Sequence, residues 1–373
     1  MAEPPASLWQ DGSIAIHADT ETARAWCDRV RGRAPLFGCV TGFTATATVD
    51  NISAAGLTPH DRLFTANADL EFLSGGHRPD PRYPLPPLVA GASPVLISRA
   101  IAAALHWPIR TVNAGLAYPL GPPAIDLGQP PALCVSSGRS LDRATVEALF
   151  LSGLELGQQW SQQAEWLIVG ECVVGGTTAA LGVLTALGIE SSELVGSSQR
   201  QCDRALKQDL VRSGLEAATR RGDLDPGDPL SAVAAVGDPM QPVVAGIAIG
   251  SSVPVLLAGG TQMLTVWELG QRLASRRNSS WSGDRVAVGT TRWVVEDGSA
   301  GAIELAEAIG APLLATGLDL SASRYESLRA YERGFVKEGV GAGGAAIGAT
   351  LHRGWGSAEM VAAIDALAAE TIA

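Results

Sequence analysis

Residues 166–180 read WLIVGECVVGGTTAA. The short apolar start, Trp166 to Val169, has the character of a strand. A carboxylate, Glu171, and a Gly175-Gly176-Thr177-Thr178 turn follow, and the alanine-rich run Ala179 to Leu187 then reads as a helix. Strand, glycine turn and helix in that order is the unit from which parallel sheets covered by helices are built. The two glycines let the backbone approach a ligand closely. Thr177 and Thr178 are placed to cap the helix and offer hydroxyls, so the first-turn amides are expected to face outward as an anion site that fits a phosphate. Taken alone, this turn is equally an ordinary capped β–α junction, because short glycine motifs match by accident; it is neither GxxxxGK[ST] nor GxGxxG.

The same grammar extends in both directions. Upstream, Thr20 to Val30 has helical spacing, with Ala23, Trp26, Cys27 and Val30 on one face, and Leu36 to Val49 is β-rich, its Thr/Ala alternation that of a strand exposed on one side. Ser93 to Trp107 reads as a helix, Ile109 to Ala114 and Ala132 to Val135 as strands, and Leu141 to Gln163 as the helix before Trp166. Between them, Ser74 to Pro87 holds five prolines and two glycines and is a loop. Downstream, Gln201 to Arg220 is a charged helix and Asp238 to Ile249 a buried one. Val253 to Ala258, Val286 to Gly289 and Pro312 to Gly317 are strands. Thr261 is placed to cap the helix carrying Trp267, and Ala300 to Ile309 is a helix.

Strands closed by Gly115, Ser136, Gly170, Gly259, Gly289 and Gly317 thus alternate with helices. This predicts a three-layer α/β fold, with a mostly parallel sheet, right-handed crossovers, helices on both faces and a ligand site beyond the carboxyl ends of the strands. The chain is expected to form a single domain over residues 1–373, with an α/β core at 36–350. The terminal helices, Thr20 to Val30 and Ser357 to Ile372, are expected to form a small helical lobe.

Composition agrees. Hydrophobic residues make up 46% but aromatics only 5%, with 43 glycines, so the core must be Ala, Val, Leu and Ile packed closely between helices and sheet. A net charge of −11 argues against nucleic acid as a partner, whose binding needs clustered Lys and Arg. An anionic small ligand would need help from helix ends and from a few bases such as Arg200, Arg204 and Lys207. The five cysteines form no CxxC pair, and His17, His60, His77, His106 and His352 are scattered. Reduced thiols, no metal and no cofactor are expected. No secretory signal and no apolar run of about 18 residues is present, so the expected location is the cytoplasm, with no membrane partner.

A second stretch, Phe335 to Ala349 (FVKEGVGAGGAAIGA), opens on Glu338 and carries Gly339, Gly341, Gly343 and Gly344. Small residues at that density imply close approach of a ligand or of a neighbouring helix. Glu338 is either a surface group beside Lys337 or the partner of Glu171 in an acid–base or ligand-orienting pair. No Gly-x-Ser-x-Gly elbow is present. Trp267, Trp281 and Trp293 are either core residues or platforms for a flat base.

Four collinear segments carry a resemblance: GASPVLISRAIAAALHWPIRTVNAG (91–115), VGECVVGGTTAALGVLTALG (169–188), AVGDPMQPVVAGIAIGSSVPVLLAGGTQMLTV (235–266) and KEGVGAGGAA (337–346). Together they make the chain similar to the nicotinate-nucleotide–dimethylbenzimidazole phosphoribosyltransferase family, in its divergent cyanobacterial and archaeal branch. The resemblance implies a pentosyltransferase, usually a homodimer, that moves phosphoribose from nicotinate mononucleotide to an aromatic base nitrogen in cobamide lower-ligand synthesis. It places Glu338 as general base and Glu171 beside it in the catalytic set. Gly170, Gly175, Gly176, Thr177, Thr178, Gly339 and Gly341 fall in the substrate-binding set, as does Lys207, which lies two positions from the family's phosphate-binding lysine. Two segments depart from the family pattern, TATATVDNISAAGLTPH (44–60) and TTRWVVEDGSAG (290–301), and both fall where the acceptor base is expected. The alternative reading is a catalytically silent nucleotide-binding or regulatory protein of the same fold. An NAD-dependent oxidoreductase is disfavoured by the missing GxGxxG and its downstream acid.

Overall fold

The computed structural model describes residues 6–7, 14–121, 123–196, 203–277, 281 and 284–371. In order the chain forms β1 (Ala6–Ser7), β2 (Ile14–Ala18), α1 (Thr20–Val30), β3 (Leu36–Thr41), α2 (Thr65–Gly75), α3 (Val95–Ala104), β4 (Ile109–Asn113), β5 (Ile125–Asp126) and α4 (Arg143–Ser161). There follow β6 (Leu167–Cys172), α5 (Gly176–Ala186), α6 (Arg204–Arg221), α7 (Pro229–Val236), α8 (Met240–Gly250), β7 (Val255–Ala258), α9 (Thr261–Arg276) and β8 (Val286–Thr291). The last elements are α10 (Arg292–Val295), α11 (Ala302–Ile309), β9 (Leu313–Thr316), α12 (Glu326–Arg329), α13 (Ala342–Arg353) and α14 (Ser357–Thr371).

The described strands make one nine-stranded sheet, ordered β1-β2-β9-β8-β7-β6-β3-β4-β5. From β9 to β5 every pair is parallel, and the amino-terminal β1 and β2 add antiparallel strands at the other edge. After β3 the chain first builds outward through β4 and β5, then returns to the opposite side of β3 and continues from β6 to β9. The order therefore reverses between β3 and β6. In an open α/β sheet the crevice beyond the carboxyl ends of the strands at such a reversal is where ligands bind.

The central strands are buried on both faces, as parallel strands under two helical layers must be. Along β6, Leu167 and Val169 join the core on one side while Ile168 and Cys172 join that on the other. The first side is closed by α4, α5, α7, α8 and α9, the second by α2, α3 and α13. The terminal helices α1 and α14 pack in this second layer, α1 against β2 and α14 against α3. These are the three layers expected.

Helices α4 and α8 cross at glycines. A Cβ on Gly153 would lie 2.2 Å from the Val243 carbonyl oxygen, and one on Gly246 would lie 2.4 Å from that of Phe150. Both obstacles are backbone and cannot rotate away. Gly246→Leu is expected to destabilise the fold by about 3 kcal/mol or more, at the upper end of overpacking costs. A denaturant midpoint unchanged from wild type would show that the two helices can part without loss.

Local readings shift in places. The β-rich run from Leu36 is strand only to Thr41, wholly buried, and Ala45–Thr48 is a 3-10 turn. Alternating Thr and Ala suit either conformation, and the chain has to turn here over the end of the sheet. Ala132 to Val135 is not a strand. Ala132 makes a single bridge to Thr44, and Val135–Ser137 is another 3-10 turn. The strand at Trp166 runs on through Gly170 to Cys172, because Gly170 pairs with both Cys39 and Ala258. Glu171 therefore lies on the strand, not on the loop after it.

Candidate active site

One cavity opens at the β3/β6 reversal, enclosing some 970 Å³ including its mouth, and its walls include Glu171, Gly175, Gly176, Thr177, Gln262, Asp297, Lys337, Glu338 and Gly339. The two glycine-rich stretches singled out in the sequence thus meet across one hollow.

Glu338 sits just ahead of α13. Its carboxylate accepts hydrogen bonds from the backbone N–H of Thr291 at 3.0 Å, of Gly339 at 3.1 Å and of Gly343 at 3.2 Å, with the Thr290 hydroxyl 3.3 Å away. Gly343 lies in the first turn of α13, where exposed amides favour negative charge. Burial nevertheless dominates and raises its pKa to about 7, against these hydrogen bonds, which lower it. The surface-group reading of Glu338 is thereby corrected, because the half-buried side chain is held by hydrogen bonds from the ends of β8 and α13 and faces the cavity.

Glu171, 5% exposed, continues the Leu167–Val169 face of β6 and accepts from the Val173 N–H at 3.0 Å. Burial raises its pKa to about 8, and the nearby charges of Asp238 and Glu338 push the same way. This upward shift favours the protonated carboxyl, which can donate as well as accept. Backbone links the two acids, for the Val340 N–H donates to the Glu171 carbonyl at 2.9 Å. Val340 itself has φ +53°, an unusual value for a β-branched residue, and its carbonyl accepts from the Ser98 hydroxyl at 2.8 Å. Gly341, φ +70°, packs against Gly170 so closely that a Cβ on either would lie 3.0 Å from the other's Cα.

At the other end of the cavity, α5 starts from Gly175 in the left-handed region, with no side chain capping it. The expected caps are corrected accordingly. The Thr178 hydroxyl is buried, and Thr177 instead accepts from the Lys207 ammonium at 2.9 Å. Thr261 likewise does not cap its helix, and its hydroxyl accepts from the Gly196 N–H at 3.3 Å. The amides of Gly176 and Thr178 are taken by the carbonyls of Val173 and Gly175 in a tight turn, so the anion site is not a ring of open amides. Lys207, read from the sequence as one of a few bases on a charged helix, is buried and also donates to the Gly196 carbonyl at 2.8 Å. Arg204 pairs with Glu193, and Arg200 and Cys202 lie outside the described residues.

Sequence reasoning missed several groups. Lys337 forms an ion pair with Asp297 in the cavity wall. The Gln262 side chain stands so close to Gly176 that a Cβ there would lie 1.8 Å from its amide oxygen. Asp69, on α2, and Ser53 and Ala55, from the divergent 44–60 segment, complete the wall. The tryptophans are core residues, Trp267 packing edge-on to Trp281 and Trp293 against Tyr331. Among the described residues no acid, His and Cys cluster suits a metal, and no helix is long and apolar enough to cross a membrane. Cys27, Cys39, Cys134 and Cys172 are free thiols.

Among known proteins, the UPF0284 protein of Cyanothece sp. (strain PCC 7425 / ATCC 29141) is 51% identical over 358 residues, 95% of this chain and 96% of that protein. The chain belongs to the UPF0284 family. A second UPF0284 protein, from Nostoc sp. (strain PCC 7120), is 49% identical over 94% of this chain and 97% of its own length. Residues 93–264 of this UPF0284 chain match the family model described as phosphoribosyltransferase. That range spans both Glu171 and the start of α5. Two solved structures share the fold. Nicotinate-nucleotide-dimethylbenzimidazole phosphoribosyltransferase from Thermus thermophilus has a TM-score of 0.59 at 20% identity, over 93% of this chain and 88% of its own. CobT from the same organism has a TM-score of 0.61 at 21% identity, over 92% and 89%. The family model and the shared fold agree with the resemblance carried by the four collinear segments.

Proposed function

We propose that this UPF0284 protein is a phosphoribosyltransferase that moves phosphoribose from nicotinate mononucleotide to a ring nitrogen of an aromatic base. The observation that supports this reading above all is the single cavity walled at one end by Glu338 and at the other by the Gly175–Thr177 turn, in a chain matching the phosphoribosyltransferase model.

In this reading the nucleotide phosphate lies at the start of α5, held by the helix dipole, the Thr177 hydroxyl and, behind it, Lys207. The neutral carboxyl of Glu171 hydrogen-bonds the bound nucleotide and fixes the sugar. The base nitrogen attacks the anomeric carbon as the bond from that carbon to the nicotinate nitrogen breaks. Nicotinate leaves with the bonding pair, which neutralises its pyridinium charge. Positive charge passes to the base, and Glu338 takes its ring N–H proton.

A second cavity adjoins the first and shares Asp69, Lys337 and Glu338 with it, while Leu57, Leu88, Val89, Phe335 and Val336 give it an apolar lining. Its place beside Glu338 suits the acceptor base, and the divergent 44–60 segment contributes to it.

The test is release of free nicotinate when the protein is incubated with nicotinate mononucleotide and a panel of benzimidazole and purine bases. Tight nucleotide binding with no release under any base would favour the silent binding protein. The pH dependence follows from Glu338. Its pKa is raised, so below about pH 7 it carries a proton and cannot accept another. We therefore expect kcat/KM to rise through about pH 7, and a flat profile from about pH 6 to 8 would remove the carboxylate from proton transfer.

A further inference from the structure

Asp69 has no part in the reaction as described above, yet it lies in the wall common to both cavities. It projects from α2, is 4% exposed, and is met by the Ser93 hydroxyl at 2.6 Å and the Cys172 thiol at 3.4 Å. Neither donor is charged, the thiol is a weak one, and among the described residues no cation forms an ion pair with Asp69. A carboxylate has about four lone-pair sites, and a buried one left short of donors is costly. Each Asp69 oxygen has one neutral donor, and because the residue lines both cavities, a ligand bound there is within reach to supply another. Glu338 lines the same two cavities, so the two carboxylates border one space.

We propose that Asp69 is a specificity-determining residue that selects an acceptor base bearing a second N–H donor, such as an exocyclic amine, in addition to the nitrogen that attacks. This inference rests on the transferase reading above and narrows its substrate class. A purely hydrocarbon edge would desolvate Asp69 and return nothing, whereas an amine would satisfy it. Glu338 would then face the reacting ring nitrogen and Asp69 the amine, fixing which ring nitrogen is glycosylated. Sites built around a hydrogen bond discriminate against ligands that lack the partner far more strongly than apolar pockets discriminate by size.

The test compares benzimidazole with 4-aminobenzimidazole and 5-aminobenzimidazole, matched rings that differ only by the amine, with nicotinate mononucleotide as donor. For the wild-type protein, kcat/KM for nicotinate release is expected to favour at least one amino compound by about tenfold or more. In Asp69→Leu that preference is expected to collapse to near unity. Asp69→Asn, which keeps a carbonyl oxygen for the Ser93 hydroxyl, should retain part of it. A merely structural role would lower all three rates together and leave their ratio unmoved. Equal use of all three bases by the wild type, or an unchanged ratio in Asp69→Leu, would overturn the inference and leave the transferase reading standing. Nicotinate release with no base at all would overturn that reading and this inference with it.

Discussion

Glu338→Gln is expected to lower nicotinate release by about 10²- to 10⁴-fold while nicotinate mononucleotide still binds. Glutamine has nearly the same shape, so the cavity stays open and the start of α5 is untouched. What it lacks is basicity, and its amide nitrogen cannot accept from the backbone N–H groups of Thr291 and Gly343 that the carboxylate holds. The side chain should therefore turn, exposing one of those donors. Glu338→Asp separates the two consequences, because it remains a base but ends one methylene short. It should fall between the wild type and the glutamine variant, since a shift of about 1 Å is costly to a positioned group. Wild-type turnover in Glu338→Gln would strike this residue from the chemistry, whatever its place in the cavity.

Gly343→Ala should be nearly as damaging for a different reason. A Cβ at this position would lie 2.2 Å from the Thr290 carbonyl carbon, 2.5 Å from the Thr291 nitrogen and 2.6 Å from a Glu338 carboxylate oxygen. The first two atoms belong to the end of β8 and cannot swing aside, so α13 must shift away from the sheet. The expected cost is about 1–3 kcal/mol of stability, together with loss of the Gly343 hydrogen bond that orients Glu338. Both readouts matter, because a variant that melts as the wild type does and turns over normally would show the α13–β8 junction to be loose. Gly348→Ala, lower on the same helix, would meet the Ile168 and Trp107 side chains and not the carboxylate. It should therefore lower stability without a comparable loss of turnover.

The architecture was legible because it rests on local pattern. Apolar runs of strand length, closed by glycine and separated by helical spacing, are readable one segment at a time, and Thr20–Val30 matches its expected limits. Glu338 and the Gly175–Thr178 turn stood out because glycine at that density needs a reason. Other groups carry no local mark. Asp69 sits in an ordinary-looking helix, and only the packing of α2 over β3 and β4 brings it to Cys172 at the end of β6. Lys337 and Asp297 are joined by the way two loops close over the strand ends. The buried state of Lys207 could not be read from α6, whose other charges are mostly solvated; it needed the partners on α5 and at Gly196. The capping roles of Thr177, Thr178 and Thr261 were misread because a hydroxyl near a helix start has several partners within reach, and tertiary contacts chose among them.

The main-chain hydrogen bond from Val340 to Glu171 has a longer reach than its single contact suggests. It registers the loop carrying Glu338 on the strand that leads into the Gly175–Thr177 turn, by atoms that every amino acid except proline possesses. Within 290–301 the side chains of Thr290, Thr291 and Asp297 also hold the 337–338 loop, so the positions free to change without disturbing that alignment are the others of this segment and those of the 44–60 rim. In the transferase reading proposed above, one acceptor could thus be exchanged for another by rewriting the rim while Glu338 keeps its spacing from the Gly175–Thr177 turn.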